Sequence, residues 1–387
     1  MKKTHALLAL IIAVAMLMGT ACGSTKPTAT SGNTQPTSAP IAASGTIKIG
    51  AILPLTGASA HEGGEMHNAA QLAMNEVNAL GGISGKKLEI IFEDDEDTPQ
   101  PGIDAAHKLI DVNQVPVIIG SFSSGVTLPI AQYANQKGVV VINPGSTSPK
   151  LAEVGPYLFS TIGLDNLMGT EVANFALSEG MKKCAILIPN NQYGLGMEEY
   201  LNKAFTAGGG EIVAKVEYTL KQTDYRAELE RLFVNKPECV LYSAYGEESK
   251  VISRQVFEMG VQVKWYDGYV DMCTAVADPT TVQGHKGLEP AMFIPEAVGF
   301  RARYKTAFGA EPTSSFSLYT YDAVWLAALT MGMVGTNPAD IQKGLPLAAI
   351  HYRGASGAIE FDANGQRLSQ VYQELIFTGT KLELYQK

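Results

Sequence analysis

Cysteine is scarce in this chain: four occur in 387 residues, and only Cys184, Cys239 and Cys273 lie beyond the amino-terminal segment. None has CxxC or Cys/His spacing, which argues against the usual cysteine-based metal sites. Cys184 and Cys239 each begin an apolar run, and the two runs can be neighbouring strands, so a disulfide is open in an exported chain. We expect instead two separate buried thiols, since free cysteine commonly packs as a small hydrophobic side chain.

Catalytic signatures are also missing. The sequence has no G-x-S-x-G elbow, no P-loop and no dinucleotide G-x-G-x-x-G. Neither His107 nor His351 stands in a motif that places a base beside a nucleophile. These absences predict a protein that is not an enzyme and has no cofactor.

Two polar clusters invite a metal assignment but do not fit one. The first is the entry to a helix, with the residues His61, Glu62, Glu65 and His67, whose spacing matches no usual zinc signature. The second, Glu93–Asp97, lacks the alternating ligands and central glycine of a calcium loop. We therefore expect solvated polar surface and no metal at both.

An excess of basic charge is absent as well. The formal net charge is −9, which argues against nucleic acid or an anionic membrane surface as partner. Beyond the amino terminus, the longest apolar candidate, Ala323–Val334, is too short to span a bilayer.

What the amino terminus does contain is an export signal. Residues 1–21 have a basic start, an apolar core at Ala6–Met18 and small residues before Cys22, as in a secretory signal peptide. Gly19-Thr20-Ala21-Cys22 resembles the lipobox of bacterial lipoproteins, which implies lipidation of Cys22. Residues 22–45 are rich in Ser, Thr, Pro and Gly, which is typical of a flexible tether. We expect an extracytoplasmic domain held at the cell membrane by a lipid anchor.

The remainder predicts an α/β fold of two doubly wound parallel-sheet lobes. Strands alternate with amphipathic helices from Thr46, and the same rhythm restarts after about residue 162. The later pieces are too few for a third domain and are expected to complete the first two. We expect lobe 1 to comprise 46–161 and 288–367, and lobe 2 to comprise 162–287 and 368–387, with a strand at Leu288–Ile294.

Hydroxyl-rich loops follow two strands of the first lobe. Val117–Gly125 and Val139–Ser148 are each an apolar run that breaks into Gly, Ser and Thr, and a helix opens at about Ser124. Ligands of open α/β sheets lie at the carboxyl ends of the strands. Hydroxyls, backbone N–H groups and a helix N-terminus together suit a carboxylate.

In the second lobe the corresponding strand ends carry tyrosines and acids, at Asn190–Tyr193, Ser243–Tyr245 and Asp267–Asp271. Such a wall suits an ammonium and an apolar side chain. A cleft between the two walls predicts a small zwitterionic ligand.

Taken in order, several stretches resemble the leucine/isoleucine/valine-binding proteins, the type I periplasmic solute-binding proteins of ABC importers. The resemblance covers nearly all of Ile47–Tyr385, in the stretches IGAILPLTGASA, NEVNALGGISGKKLEII, VIIGSFSSGVTLPIA, VINPGSTSPKL, NNQYGLG and YTYDAVWLAAL. It implies two lobes joined by three crossovers that close on the ligand.

The resemblance also implies a site. The ligand carboxylate would bind the hydroxyls of Ser124 and Thr147 and the backbone at Ser146, while Tyr193 and Tyr245 line the pocket from the second lobe. Tyr321 and Asp322 fall in a motif close to the cleft.

Two positions depart from the family pattern. Tyr269 stands where the leucine-type binders place the acid for the ammonium, and Asp271, two residues on, is our candidate for that role. Glu62 stands where an aromatic side chain often packs on the ligand. A carboxylate there favours a more polar or cationic ligand than leucine.

The predicted function is capture of a branched-chain or other small α-amino acid and its delivery to ABC permease subunits by a monomeric binding protein. The alternatives are another small carboxylate, an amide or a polyamine as ligand, or a sensory receptor of the same fold.

Overall fold

The computed structural model describes residues 45–290 and 292–386, which form two main sheets. The predicted signal peptide, the Cys22 lipidation site and the tether up to residue 44 lie outside the described residues. Within the described part of the chain, no helix combines the length and apolar character needed to cross a bilayer.

The first sheet has five parallel strands in the order β2-β1-β3-β4-β5. They are β1 Thr46–Leu53, β2 Lys87–Asp94, β3 Val117–Gly120, β4 Val140–Asn143 and β5 Leu158–Ser160. Every residue of β3 and β4 is buried, because helices cover both faces, and this is why these strands are apolar runs and not alternating ones.

Among the described residues, six helices belong to this half of the molecule. They are α1 Ala60–Ala79, α2 Pro99–His107, α3 Ser124–Lys137, α10 Pro295–Phe308, α11 Phe316–Val334 and α12 Pro338–Ile350. A short π-helical turn, Lys108–Val112, directly follows α2. A short 3₁₀ turn, Pro149–Glu153, lies between β4 and β5. Helix α3 ends at Gly138, whose φ of 69° gives the left-handed cap that glycine adopts without strain.

The second sheet has seven strands in the order β14-β13-β10-β9-β8-β6-β7. They are β6 Lys183–Pro189, β7 Glu211–Tyr218, β8 Cys239–Tyr242, β9 Lys264–Gly268, β10 Lys286–Pro290, β13 Tyr372–Phe377 and β14 Leu382–Leu384. The first five are parallel, and β13 and β14 are antiparallel additions at one edge.

In the part of the chain that the structure describes, six helices accompany the second sheet. They are α4 Asp165–Ser178, α5 Gln192–Ala207, α6 Arg226–Phe233, α7 Gly246–Glu258, α8 Val270–Thr274 and α9 Pro279–Val282. A two-stranded ribbon, β11 Arg353–Gly354 with β12 Gly357–Ala358, completes the fold.

The strand that was expected to begin the return to the first lobe belongs to the second sheet. In β10, Leu288 pairs with Gly268 on one side and with Glu374 on the other. The predicted start at residue 288 is therefore wrong, and the chain leaves the second sheet only after Pro290. The reason is that β10 pairs with β13, a distant segment of the chain, and a local sequence pattern does not show such pairing.

The chain passes between the two sheets three times, and Arg367, which lies in the third passage, binds it to the first. This buried guanidinium donates to the carbonyl oxygens of Thr161 (2.6 Å), Ser356 (2.8 Å) and Ala358 (2.7 Å). A buried charge with satisfied donors is tolerated where an unpaired one is not. The two-lobed fold with three crossovers, predicted from the sequence, is confirmed.

Cys184 and Cys239 form a disulfide, which corrects the expectation of two separate thiols. They are direct partners on the adjacent parallel strands β6 and β8, with their Cα atoms 4.6 Å apart. The third cysteine, Cys273, is buried and unpaired.

Candidate functional site

The loop after β4 is shaped by the side chain of Asn143. Its amide oxygen accepts from the backbone N–H groups of Gly145 (3.2 Å) and Ser146 (2.8 Å), and its NH₂ donates to the Ser146 carbonyl (2.7 Å). This Asx-type turn folds the loop back against the end of β3. A Cβ atom at Gly145 would come within 2.9 Å of Phe122 Cα, so the close approach of the two loops requires glycine.

Ser124 connects the two hydroxyl loops. It is the first residue of α3, and its hydroxyl oxygen accepts from the backbone N–H groups of Thr147 (3.3 Å) and Ser148 (3.2 Å). Because the oxygen serves as acceptor twice, its O–H remains a donor for an anion. The prediction that the carboxyl ends of β3 and β4 meet at one place is supported by these contacts.

Ser146 does not join Ser124 and Thr147. Its hydroxyl donates to the Phe122 carbonyl (2.9 Å) and contacts Thr127, while its backbone N–H is bound to Asn143. Both groups therefore serve the loop and not a ligand.

From the second lobe, three tyrosines converge on the same place. The ring of Tyr193 lies 5.7 Å from that of Tyr245 and 6.2 Å from that of Tyr269, measured between centroids. The Tyr193 hydroxyl bonds to Ser243, and the Tyr245 hydroxyl accepts from Asn191 (3.2 Å). Burial raises the pKa of Tyr193 and Tyr269 well above the usual value, so both hydroxyls stay neutral.

These residues enclose a small, largely filled cavity of about 20 Å³ between the lobes. Its walls are formed by Phe122, Ser124, Gly145, Thr147, Tyr193, Tyr245, Tyr269, Met272 and Phe316. Phe316 stacks on Tyr269 at 5.8 Å between centroids and meets Phe122 edge-on at 4.8 Å. The cavity thus combines an aromatic and apolar lining with the few polar groups of Ser124 and Thr147.

Sequence reasoning missed the apolar lining. Phe122 stood inside a quoted motif, directly before the serines, and its position gave a usable signal. Phe316 and Met272 gave none, because their place in the cavity depends on how distant segments cross.

Asp165, also missed, lies directly behind Thr147. It opens α4 and is fully buried; its backbone N–H donates to the Thr147 carbonyl (2.7 Å), and its Oδ2 accepts from the Thr147 hydroxyl (2.9 Å). Burial raises the pKa of this carboxyl well above its ordinary range, and the Thr147 hydrogen bond opposes the rise. An acid at the first position of a helix, in the segment that joins the lobes, was the available signal.

Glu62 and Asp271 lie together but outside the cavity lining. The charges of Glu65 and Glu62 add to burial in raising the pKa of Asp271 to about 7. Glu289 accepts from the backbone N–H of Asp271 (3.3 Å) and from the hydroxyl of Ser315 (2.8 Å). The structure therefore groups these acids with one another, and none of them is among the residues that line the cavity.

Tyr321 and Asp322 have structural partners. The Tyr321 hydroxyl donates to Glu76 (2.5 Å) and accepts from Arg303 (2.9 Å). Asp322 accepts from the backbone N–H groups of Ala355 (2.7 Å) and Ser356 (2.8 Å). Neither residue lines the cavity.

A cavity between the carboxyl edges of two parallel sheets, with hydroxyls on one wall and tyrosines on the other, defines a two-lobed ligand-binding protein. The periplasmic binding protein family model matches residues 46–373. The chain belongs to this family, and the resemblance seen in its motifs is confirmed. Family membership places the protein outside the cytoplasm.

Relatives and a solved structure agree with this assignment. An amino acid binding protein of Pseudomonas aeruginosa is 27% identical over 329 residues, covering 82% of this chain and 87% of its own. Leu/Ile/Val-binding protein homolog 1 of Brucella suis is 28% identical over 327 residues, with the same shares of 82% and 87%. The branched-chain amino acid substrate-binding protein LivJ of Streptococcus pneumoniae, solved with isoleucine, superposes with a TM-score of 0.80 at 24% identity, over 87% of this chain and 98% of LivJ.

Proposed function

We propose that the protein is the solute-binding component of an ABC importer and that it captures a small α-amino acid, of the branched-chain type or similar in size, in the cavity between its lobes. The observation that carries the proposal is the pairing of Ser124 with Thr147. The Ser124 hydroxyl, at the N-terminus of α3, and the Thr147 loop stand together in the cavity wall. The Ser124 hydroxyl, free to donate beside a helix N-terminus, favours a carboxylate, whereas the Thr147 hydroxyl already donates to Asp165.

The rest of the lining suits an aliphatic side chain. Phe122, Met272 and Phe316 offer apolar surface, and the Tyr245 ring closes one side. The names of the relatives point to the same ligand class.

Binding, and not catalysis, is the role that these groups suit. A hydrolase needs a base beside its nucleophile. Among the described residues, no histidine is hydrogen-bonded to Ser124 or Thr147. The Thr147 hydroxyl is instead bound to an acid that opens a helix.

Closure supplies the mechanism. Ligand docks on Ser124 and Thr147 of the first lobe, and rotation of the second lobe brings Tyr193, Tyr245 and Tyr269 over it. Because the ligand contacts both lobes only in the closed form, its binding shifts the population toward that form. The permease then recognises the closed protein.

We assign lipid anchoring at Cys22 to the same function, since an importer needs its binding protein near the membrane. The support is the small-residue stretch before Cys22 and the tether that follows. A Cys22→Ser variant is expected to appear in the medium or the soluble extracytoplasmic fraction and to lose labelling by a radioactive fatty acid. Retention at the membrane with unchanged labelling overturns the anchor. We also propose that the protein works as a monomer, which sedimentation tests.

Titration calorimetry against the twenty common amino acids tests the function, with 4-aminobutyrate, benzoate and putrescine as further probes. We expect micromolar or tighter binding of one or more aliphatic amino acids. Binding of no amino acid at millimolar concentration overturns the amino-acid assignment, and binding of benzoate or putrescine alone replaces the ligand class.

A further inference from the structure

We propose that Asp165, with the Tyr269 hydroxyl beside it, receives the ammonium group of the ligand, and that Asp271 does not. The inference rests on the proposed function, because it assigns the second charge of an amino acid whose carboxylate binds at Ser124.

The first support is an unused oxygen. Asp165 is fully buried, its Oδ2 accepts from Thr147, and its Oδ1 has no hydrogen-bond partner among the described residues. No lysine, arginine or histidine of the described part of the chain pairs with it. A buried carboxyl group with an unmatched oxygen is costly unless a donor arrives. An ammonium brings three donors and a positive charge.

The second support is the Tyr269 hydroxyl, which is buried and makes no hydrogen bond of good geometry, while its interaction with the Asp165 carboxyl opposes the rise that burial causes in the pKa of that acid. Tyr269 lines the cavity and contributes to the electrostatic environment of Asp165. The other two tyrosines differ, since the Tyr193 hydroxyl is bound to Ser243 and the Tyr245 hydroxyl to Asn191. Of the three cavity tyrosines, Tyr269 alone has a hydroxyl that interacts with the Asp165 carboxyl through a side-chain hydrogen bond.

The third support is the arrangement around Thr147. Its backbone N–H contacts the Ser124 hydroxyl (3.3 Å), and its own hydroxyl contacts Asp165 (2.9 Å). Thr147 therefore stands between the carboxylate position and the buried acid. An α-amino acid carries both charged groups on one carbon, so a carboxylate held at Ser124 leaves the ammonium within the span of this one residue.

Asp271 is poorly placed for the same task. Neither Asp165 nor Asp271 lines the cavity itself, but Asp165 is hydrogen-bonded to the lining residue Thr147, whereas Asp271, on α8, has no such hydrogen bond among the described residues. Its backbone N–H is bound to Glu289, and the acids that raise its pKa are Glu65 and Glu62. A cation at Asp271 would meet that acidic group and not the Ser124–Thr147 pair.

Calorimetry on the full mature chain with two probes tests the inference. The probes are L-leucine and 4-methylpentanoate, which share a carbon skeleton and differ by the amine. Wild type should prefer leucine by about 100-fold, as a charged buried hydrogen bond allows. Asp165→Asn should reduce that preference to below about 10-fold by weakening leucine alone, and Asp271→Asn, the matched control, should preserve it.

Three results overturn the inference while the proposed function stands: Asp165→Asn weakens both probes equally, Asp165→Asn changes neither, or Asp271→Asn abolishes the preference. If wild type binds no amino acid at all, the proposed function fails, and the inference fails with it. Circular dichroism and thermal unfolding establish that each variant is folded. Should Asp165→Asn not fold, Tyr269→Phe serves in its place, with an expected loss of about 10-fold in the leucine preference and none in 4-methylpentanoate affinity.

Discussion

Thr147 and Asp165 are joined twice: the Asp165 N–H donates to the Thr147 carbonyl at 2.7 Å, and the Thr147 hydroxyl donates to the Asp165 carboxyl at 2.9 Å. The first residue belongs to the loop after β4, and the second opens α4. This pair ties a wall of the cavity to the segment that leads into the second sheet. The two hydrogen bonds therefore connect the ligand-facing loop directly to the junction of the lobes.

Removing the Thr147 hydroxyl should affect both affinity and stability. In Thr147→Val the Asp165 carboxyl loses its hydroxyl donor while remaining buried. We expect a loss of about 1–3 kcal/mol in the free energy of unfolding, measured by urea titration, together with weaker amino-acid binding. Thr147→Ser keeps the hydroxyl and is the matched control, expected within about 0.5–1 kcal/mol of wild type. Equal stability of the valine and serine variants contradicts this prediction.

Ser124→Ala should weaken ligand binding by about 1–3 kcal/mol, or roughly 5- to 150-fold in Kd, because a charged hydrogen bond is lost. The variant also leaves the Thr147 and Ser148 N–H groups without the Ser124 acceptor. Calorimetry with the tightest-binding amino acid measures the effect. Thr206→Ala, which removes an exposed hydroxyl bound only within α5, should leave Kd unchanged. An unchanged Kd for Ser124→Ala means that the carboxylate binds elsewhere.

The Cys184–Cys239 disulfide should contribute to stability. It closes a loop with a sequence separation of 55, for which the loop-entropy relation gives about 4 kcal/mol. Unfolding in guanidinium should shift to lower concentration on reduction, and the shift should persist in Cys273→Ala, which removes the buried free thiol. Alkylation of the unfolded, unreduced protein followed by peptide mapping checks the bond directly. Modification of both Cys184 and Cys239 in that experiment is the contrary outcome.

The acids at the cleft should make stability depend on pH. Burial and the charges of Glu65 and Glu62 raise the pKa of Asp271 to about 7, and burial with the Asp271 charge raises that of Glu289 to about 8, against usual values of 3.8 and 4.5. Because the folded state holds these protons more tightly, their stabilising contribution is complete below about pH 4 and is lost as the pH rises through 7 and 8.

Urea unfolding at pH 5 and pH 8 tests this expectation. The free energy of unfolding of wild type should fall between these values by an amount on the order of 2 kcal/mol more than that of Asp271→Asn. The exposed Asp340→Asn is the control and should follow wild type. An Asp271→Asn curve parallel to that of wild type argues against the titration of this pair.

Much of the fold could be read from local pattern. The apolar runs of β3 and β4 follow directly from burial, so these two strands lie where the sequence predicts them, whereas β5 and the short helix α8 beside the site were not predicted. The same logic places Ser124, Thr147, Tyr193, Tyr245 and Tyr269 at strand ends, and these five residues do share one cavity. The carboxyl ends of parallel strands always meet at one edge of the sheet, so a single sequence is enough to predict which residues lie there.

What could not be read depends on contacts between distant segments. The place of β10 follows from pairing with β13, and the disulfide follows from the register of β6 and β8. Ser146 turns inward because the Asn143 side chain accepts from its backbone N–H and folds the loop. The sequence spacing of these residues does not show this side-chain contact. In the sequence, Asp165 resembles any acid at the start of a helix. Its position behind Thr147 depends on the tertiary fold.

Arg367 limits how the molecule can move. By binding the carbonyl oxygens of Thr161, Ser356 and Ala358, it fastens the first connection to the third, and pulling the halves straight apart would leave a buried guanidinium unpaired. The motion that keeps this guanidinium paired is a hinge rotation of one lobe relative to the other about these connections. The ligand then enters and leaves the cleft on the side opposite the hinge, whatever its chemical identity.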